Sequence, residues 1–280
     1  MPRTAGTLLE RARQGGHALA AVNAVNLETA EAIVVAAERE RAPVIVQISE
    51  NAARYSRLSR LAAFARVLRS EATVPVILHF DHAESLDSAR TALDERFDSV
   101  MLEDRGDRRE DYRRALRALA DEAHARGAVV EAELEAVRKG DRASGDHLAP
   151  DAVRAFVEAT DCDTLAIDIG TEHKQTRKEA HLDLDRLRLV ADAVPHPLVL
   201  HGSSGVPDDE LVKAVAGGIA KVNIATALSL AFTRGVREAL ADRDAYDPRG
   251  YLAEARERMA VEVQRYIRLL GGSGQADRPG

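Results

Sequence analysis

Eight short apolar runs, each followed by a segment with helical spacing, constrain the fold more than any other feature of this sequence. Most of these runs are apolar throughout rather than alternating, which is typical of parallel strands buried on both faces. Eight such units in about 210 residues favour a (β/α)8 barrel, an α/β fold. A doubly wound open sheet is the alternative, because periodicity does not show closure. The predicted strands are 17–23, 43–49, 75–82, 99–104, 128–134, 164–170, 197–202 and 221–226.

No domain boundary is evident, so we predict one barrel domain over residues 1–270. An extra helix over about 248–270 follows the eighth unit. The Gly-rich tail, 271–280, is predicted to be disordered because it has little apolar surface to bury.

Composition excludes several classes of function. The net charge is −7 with both signs interspersed, and aromatic residues make up only 4% of the chain, so we expect no nucleic-acid partner. No apolar stretch approaches the ~20 residues of a membrane span, and we expect no membrane partner and no signal peptide. The single cysteine, Cys162, excludes an internal disulfide and fits a cytoplasmic protein.

Polar side chains stand at the end of every predicted strand, and in a barrel these ends share one rim. The third strand ends in LHFDH, where Asp81 and His82 are adjacent. His173 follows strand six and His201 ends strand seven. Three neutral imidazoles leave a divalent metal ion an open position, as a Lewis-acid site needs. On a regular strand His79 shares the face of Asp81, opposite His82, and we interpret it as a packing or supporting residue.

The segment HGSSG, 201–205, comes after strand seven, where barrels often bind phosphate together with the loop after strand eight. A metal, a phosphate anchor and a carboxylate together fit aldol chemistry on a phosphorylated ketose. An imine mechanism has no candidate, because Lys221 is predicted to open strand eight at the opposite rim.

At these motifs the sequence resembles the class II, metal-dependent fructose- and tagatose-bisphosphate aldolases, from about Ala18 to Ala231. The motifs that carry the resemblance are AVNAVNLETAEAIVVAAE, PVIVQIS, VPVILHFDHAES, SVMLED, VVEAEL, IGTEH, LDLDRL, LVLHGSSGVP and KVNIAT.

The resemblance implies a cytoplasmic lyase of carbohydrate metabolism that uses Zn²⁺ or another divalent ion, with a phosphosugar as substrate and a homo-oligomeric state, dimer or tetramer. His82, His173 and His201 would bind the metal. Asp81 would be the proton donor and acceptor at the hydroxyl formed or broken with the C–C bond. Glu133 would be a carboxylate able to approach the metal. The residues implied to hold the phosphorylated substrate are Ser49, Gly202, Ser203, Ser204, Asn223, Ile224, Ala225 and Thr226.

Several positions depart from the family pattern. Lys174 replaces a glycine after His173, and Glu135 replaces a glycine after strand five. The mobile loop of the family carries a glutamate that takes a proton from the ketose, and here, between Glu135 and Asp146, Asp141 is the nearest candidate. Strand four ends Glu103-Asp104-Arg105 rather than Asp-Gly-Ser. We therefore predict a diverged aldolase whose aldehyde partner differs from that of fructose 1,6-bisphosphate.

Two alternatives keep the same scaffold. One is a phosphosugar isomerase, epimerase or other C–C lyase on the same metal site. The other is a non-catalytic binding protein, which would hold less than one tight divalent ion per chain.

Overall fold

Eight parallel strands form a closed barrel in chain order, which confirms the predicted barrel and rejects the open sheet. The structure is a computed structural model that describes residues 4–105, 109–134, 149–171 and 177–277. The strands are β1 Leu19–Asn23, β2 Val44–Ser49, β3 Val76–Ala83, β4 Ser99–Leu102, β5 Val129–Glu133, β6 Thr164–Ala166, β7 Leu198–Leu200 and β8 Ile219–Ile224.

Helices alternate with these strands as the sequence predicts, and the extra helix after the eighth unit is present. The helices in the described part of the chain are α1 Ala5–Gly15, α2 Leu27–Arg39, α3 Glu50–Ser56, α4 Leu58–Glu71, α5 Leu86–Asp94, α6 Arg109–His124, α7 Pro150–Thr160, α8 Leu184–Ala193, α9 Asp208–Ala216, α10 Thr226–Ala239 and α11 Pro248–Leu269. No helix among the described residues is both long and apolar enough to span a membrane.

The short helix α3 was not predicted. It begins because the Ser49 hydroxyl oxygen accepts the N–H of Ala52, which caps the helix at the end of β2. Arg57 has a φ of 64° and separates α3 from α4. The result is a helical turn that stands directly on the rim of the barrel.

Two apolar regions hold the barrel. The larger one lies between the strands and the surrounding helices. The smaller one joins α1 to the first residues of the strands, including Leu19, Ile45 and Ile77. The helix α1 therefore closes the amino-terminal end, and the carboxyl ends of the strands are left as the open mouth.

The tail corrects one prediction. Residues 271–277 are not a disordered extension, because they turn back onto the end of α2. The N–H of Gly274 donates to the Glu40 carbonyl, and the N–H of Ala276 donates to the Arg41 carbonyl, both at 2.9 Å. The side chain of Ala276 is buried. Residues 278–280 lie outside the described part.

Candidate active site

The third strand carries the residues around which the mouth of the barrel is built. Phe80 pairs with Val100 and Ala83 pairs with Leu102, so β3 has one residue more than β4 across this interval. The extra residue is a bulge, and His82 within it has a φ of 54°. On a regular strand His82 would face away from Asp81. The bulge turns it back, and His82 Nε2 lies 3.7 Å from Asp81 Oδ1.

Asp81 is buried and is held on both oxygens. Asn23 Nδ2 donates to Oδ2 at 3.2 Å, and Asn223 Nδ2 donates to Oδ1 at 3.5 Å. Gln47 Nε2 in turn donates to Asn23 Oδ1 at 3.1 Å. Burial acts to raise the pKa of Asp81, but the neighbouring imidazoles of His82 and His79 outweigh it, and the pKa lies below its ordinary value. The carboxylate is thus fixed, ionised and aimed at the mouth.

His82 and His201 meet at the mouth, with ring centroids 5.1 Å apart and planes at 67°. Glu103, which directly follows β4, comes within 3.8 Å of His82 Nδ1. Two imidazoles on one tetrahedral ion have centroids about 5 Å apart, because each metal–nitrogen bond is about 2.1 Å. The spacing of His82 and His201 therefore fits two ligands of one divalent ion.

The third predicted ligand, His173, lies outside the described residues. Among residues 4–105, 109–134, 149–171 and 177–277, no three His, Cys, Asp or Glu side chains are arranged to hold a metal ion. Lys174, Asp141 and Glu135 also lie outside the described part. The described side chains provide two of the three predicted imidazoles.

Below the mouth, a buried group of charged side chains crosses the barrel interior. Lys221 Nζ donates to Glu131 Oε2 at 2.6 Å and lies 3.1 Å from His79 Nε2. Glu131 Oε1 is 2.9 Å from His201 Nε2. The sequence prediction for Lys221 was wrong, because β8 begins at Ile219 and Lys221 is inside the strand with 1% of its surface exposed. Its ammonium group is held by Glu131, away from the mouth, so it gives no imine nucleophile.

The pKa values in this group follow from burial and from the neighbouring charges. Burial, with the charge of Lys221 next to it, lowers the pKa of His79 to about 3. Burial acts to raise the pKa of Glu131, but Lys221 and the hydrogen bond with His201 outweigh it and hold that pKa well below its ordinary value. For His201, burial acts to lower the pKa, whereas the hydrogen bond and charge of Glu131 raise it above its ordinary value.

The predicted phosphate loop stands beside the start of α10. The Ser203 hydroxyl donates to the Asn223 carbonyl at 2.6 Å, and the Ser204 hydroxyl oxygen accepts the N–H of Ala227 at 3.2 Å. Gly202 has a φ of 67°, which turns the chain into a short 3-10 turn, Ser203–Gly205. Ser204 thus caps the first turn of α10, since Ala225 at the N-cap position has no side chain that could do so. The loop and the start of α10 are therefore in contact, and small residues beside a helix N-terminus suit an anion.

The other predicted site residues stand around the same mouth. Glu133 ends β5 and is buried, and its N–H donates to the Tyr112 hydroxyl at 3.0 Å. Ser49 pairs in register with Asp81 on the neighbouring strand. Ile224 ends β8 and Thr226 begins α10. The structure thus brings every described member of the predicted set to one end of the barrel.

Sequence reasoning missed the roles of Gln47 and Glu131. Both lie inside strands that are otherwise apolar up to their last residue, and both are almost fully buried. A charged or amide side chain within such a run was the available signal, because a buried polar group needs a partner inside the barrel.

Comparison with known proteins agrees with this site. The family model of class-II fructose-bisphosphate aldolase matches residues 3–275. A fructose-bisphosphate aldolase from Thermus caldophilus is 36% identical, with 96% of this chain and 98% of the relative aligned. One from Geobacillus stearothermophilus is 35% identical, with 96% of each chain aligned. The crystal structure of the YdjI aldolase from Escherichia coli K12 superposes with a TM-score of 0.86 at 30% identity, covering 99% of this chain and 100% of that one.

These matches confirm the resemblance found in the motifs, and they extend over almost the whole chain. The chain belongs to the class-II fructose-bisphosphate aldolase family, whose members are lyases that cleave phosphorylated ketoses and depend on a divalent metal ion.

Proposed function

We propose that this chain cleaves a phosphorylated ketose reversibly to dihydroxyacetone phosphate, or a close analogue, and an aldehyde. The observation that carries the proposal is Asp81, a buried carboxylate fixed by two asparagine amides and placed 3.7 Å from His82. A proton acceptor beside a metal ligand is the pair that aldol cleavage without an imine requires.

His82, His173 and His201 are proposed to hold the metal, which we propose to be zinc because three imidazoles suit it. When bound, the ion supplies Lewis-acid polarisation of the ketose carbonyl and stabilises negative charge that develops there. Glu133, buried at the end of β5, is a proposed alternate ligand.

Asp81 performs the proton transfer at the hydroxyl β to the carbonyl. In cleavage its carboxylate accepts the hydroxyl proton while the bond between the two carbons breaks. The oxygen becomes the aldehyde carbonyl, and the electron pair of the broken bond stays with the ketose fragment. A separate acid then protonates that carbon, and we propose a residue of the segment 135–148 for this step, with Asp141 as the candidate.

Dihydroxyacetone phosphate is oriented by its phosphate. The proposed anchor consists of Gly202, Ser203 and Ser204 with the start of α10, because a helix N-terminus next to small residues favours an anion. Asn223 connects this anchor to the acid, because its carbonyl accepts from Ser203 and its amide donates to Asp81. The anchored ketose fragment thus lies beside both the metal ligands and the proton acceptor.

The aldehyde half would then extend away from the anchor, toward the rim formed by β2, β3 and β4. Arg54 of α3 and Arg105 after β4 both pair with Glu84, and each is about half exposed. Glu50 also approaches this point, since its carboxylate accepts the N–H of Glu84. Because acidic side chains already neutralise the two arginines, this rim offers a distal phosphate less net positive charge than two unpaired arginines would. This supports an aldehyde partner other than the phosphorylated one of fructose 1,6-bisphosphate.

The test uses metal-loaded protein and dihydroxyacetone phosphate in deuterated water, followed by a panel of aldehydes. We expect exchange of one carbon-bound hydrogen without any aldehyde present, and one or more aldol products when aldehydes are added. An isomerase or epimerase would interconvert phosphosugars and form no new C–C bond. Absence of both exchange and condensation would refute the proposal. Ordinary efficiency with fructose 1,6-bisphosphate would refute the altered specificity alone.

A further inference from the structure

A continuous chain of buried polar contacts leads from the interior of the barrel to the proposed metal ligand His201. Ser99 Oγ lies 2.8 Å from His79 Nδ1, and His79 Nε2 lies 3.1 Å from Lys221 Nζ. Lys221 continues to Glu131 at 2.6 Å, and Glu131 continues to His201 at 2.9 Å. None of the five side chains exposes more than 4% of its surface. Water therefore does not rearrange these contacts, and their polarity is set by the side chains themselves.

The direction of each hydrogen bond follows from Lys221, because an ammonium group only donates. It donates to His79 Nε2, so His79 carries its proton on Nδ1 and gives it to Ser99. It also donates to Glu131 Oε2, which leaves Oε1 facing His201. An ionised carboxylate only accepts, so the His201 proton sits on Nε2. The lone pair of the neutral His201 ring is then on Nδ1.

We infer that Lys221 and Glu131 are positioning residues that set the tautomer of His201, so that Nδ1 is its metal-binding nitrogen. The inference rests on the proposed role of His201 as a ligand. A buried ion pair gives little net stability compared with apolar residues of the same volume. A carboxylate that fixes a histidine ligand has a clear use, since it orients the ring and raises its basicity.

Glu131→Gln tests the inference through the geometry of an amide. Lys221 still requires an acceptor, so the introduced amide turns its oxygen toward Lys221 and its NH₂ toward His201. The His201 proton then moves to Nδ1, and ligation at that nitrogen is lost. We expect the affinity for Zn²⁺, measured by competition with a chromophoric chelator, to fall about 10- to 100-fold. A Zn²⁺ affinity within about twofold of the natural protein would overturn the inference.

A second substitution separates this effect from damage to the fold. In the double variant Glu131→Gln with Lys221→Met, the amide is free to turn its oxygen toward His201 and its NH₂ toward His79 Nε2. We expect the double variant to regain part of the lost Zn²⁺ affinity, whereas independent structural damage would make the two losses add. A double variant no better than the single one would overturn the inference. Thr160→Val, which removes a buried hydroxyl bonded within α7, is the control for general destabilisation and should keep its Zn²⁺ affinity.

The tautomer can be observed directly in the zinc-loaded natural protein and in Glu131→Gln by ¹⁵N NMR of the histidine rings. We expect the natural protein to show a protonated Nε2 and a metal-shifted Nδ1 at His201, and the variant to lose this pattern. If the variant weakens metal binding but keeps the proton on Nε2, charge alone explains the loss and the inference fails. Metal ligation through Nε2 would also refute it while leaving the proposed function intact. A His201 ring that does not respond to zinc would instead refute the proposed metal site.

Discussion

Replacing Asp81 with asparagine should separate C–C bond chemistry from the earlier activation of the ketose. The substitution keeps the size of the side chain and removes its ability to accept a proton. General acid–base catalysis contributes about 10²- to 10⁴-fold, so the cleavage rate constant should fall by that factor, about 3–5 kcal/mol in activation free energy. The exchange of dihydroxyacetone phosphate with deuterated water uses a different base and should fall by less than about tenfold, because it breaks no C–C bond.

The structure also limits the cost of this substitution to stability. Asn23 and Asn223 both donate to Asp81. An asparagine at position 81 could accept only one of these hydrogen bonds with its oxygen, and its NH₂ group would face the NH₂ group of the other asparagine. One unsatisfied buried group costs about 1–3 kcal/mol, which urea denaturation will measure. Metal content should stay near that of the natural protein.

The assay pairs the cleavage rate with the exchange rate on the same zinc-loaded sample. Asp183→Asn is the matched control, because Asp183 caps α8 through the N–H of Arg186 and asparagine caps helices equally well. A cleavage rate within tenfold of the natural protein would show that Asp81 is not the proton acceptor. Equal loss of exchange and cleavage, or loss of the metal, would show that Asp81 supports the whole site instead.

Three further changes test the surrounding structure. Glu84→Gln should raise kcat/KM several-fold for a ketose with a distal phosphate, because the substitution frees the charge of Arg54. If the ratio of kcat/KM for this ketose to kcat/KM for a ketose monophosphate did not change, the proposed position of the distal phosphate at this rim would be contradicted. Glu40, whose pKa is lowered to about 2 chiefly by its hydrogen bond with Arg268, should stabilise the fold by about 1–2 kcal/mol above pH 4.5 and lose this contribution as the pH falls to about 2. A difference in free energy of unfolding between Glu40→Ala and the natural protein that persists at pH 2 would refute this. His82→Asn should lower metal content without destabilising the metal-free fold, since asparagine tolerates the positive φ at this position. His82→Val should unfold at a lower urea concentration, because valine does not tolerate that φ. Equal urea midpoints for the two variants would contradict backbone strain at residue 82.

The barrel could be predicted because every unit of the sequence repeats the same physical pattern of a buried strand and an amphipathic helix. The rim residues followed from that pattern, since parallel strands end on the same side. The orientation of His82 could not be predicted in this way. A bulge depends on the register with the neighbouring strand, and alternation along β3 alone places His82 opposite Asp81.

Lys221 shows a second limit of sequence reasoning. The sequence predicts that strand eight begins at Lys221, after Ile219 and Ala220. The structure places all three in β8, where Glu131 on a distant strand compensates the charge. Such compensation is a contact between residues far apart in the chain, and composition does not reveal it. The tail at 271–277 is similar, because its order comes from hydrogen bonds to Glu40 and Arg41, which lie far away in the chain at the end of α2.

The bulge in β3 makes the site depend on the number of residues between Phe80 and Ala83. Removing a single residue between Phe80 and Ala83 would bring β3 into uninterrupted register with β4, while the apolar contacts of the barrel wall remain. Because Asp81 and His82 are the only residues in this interval, the shortened chain would keep the acid or the imidazole but not both. A shortened protein of this kind would keep the architecture without the chemistry, and it would serve as an inactive scaffold in which every other side chain of the mouth is natural.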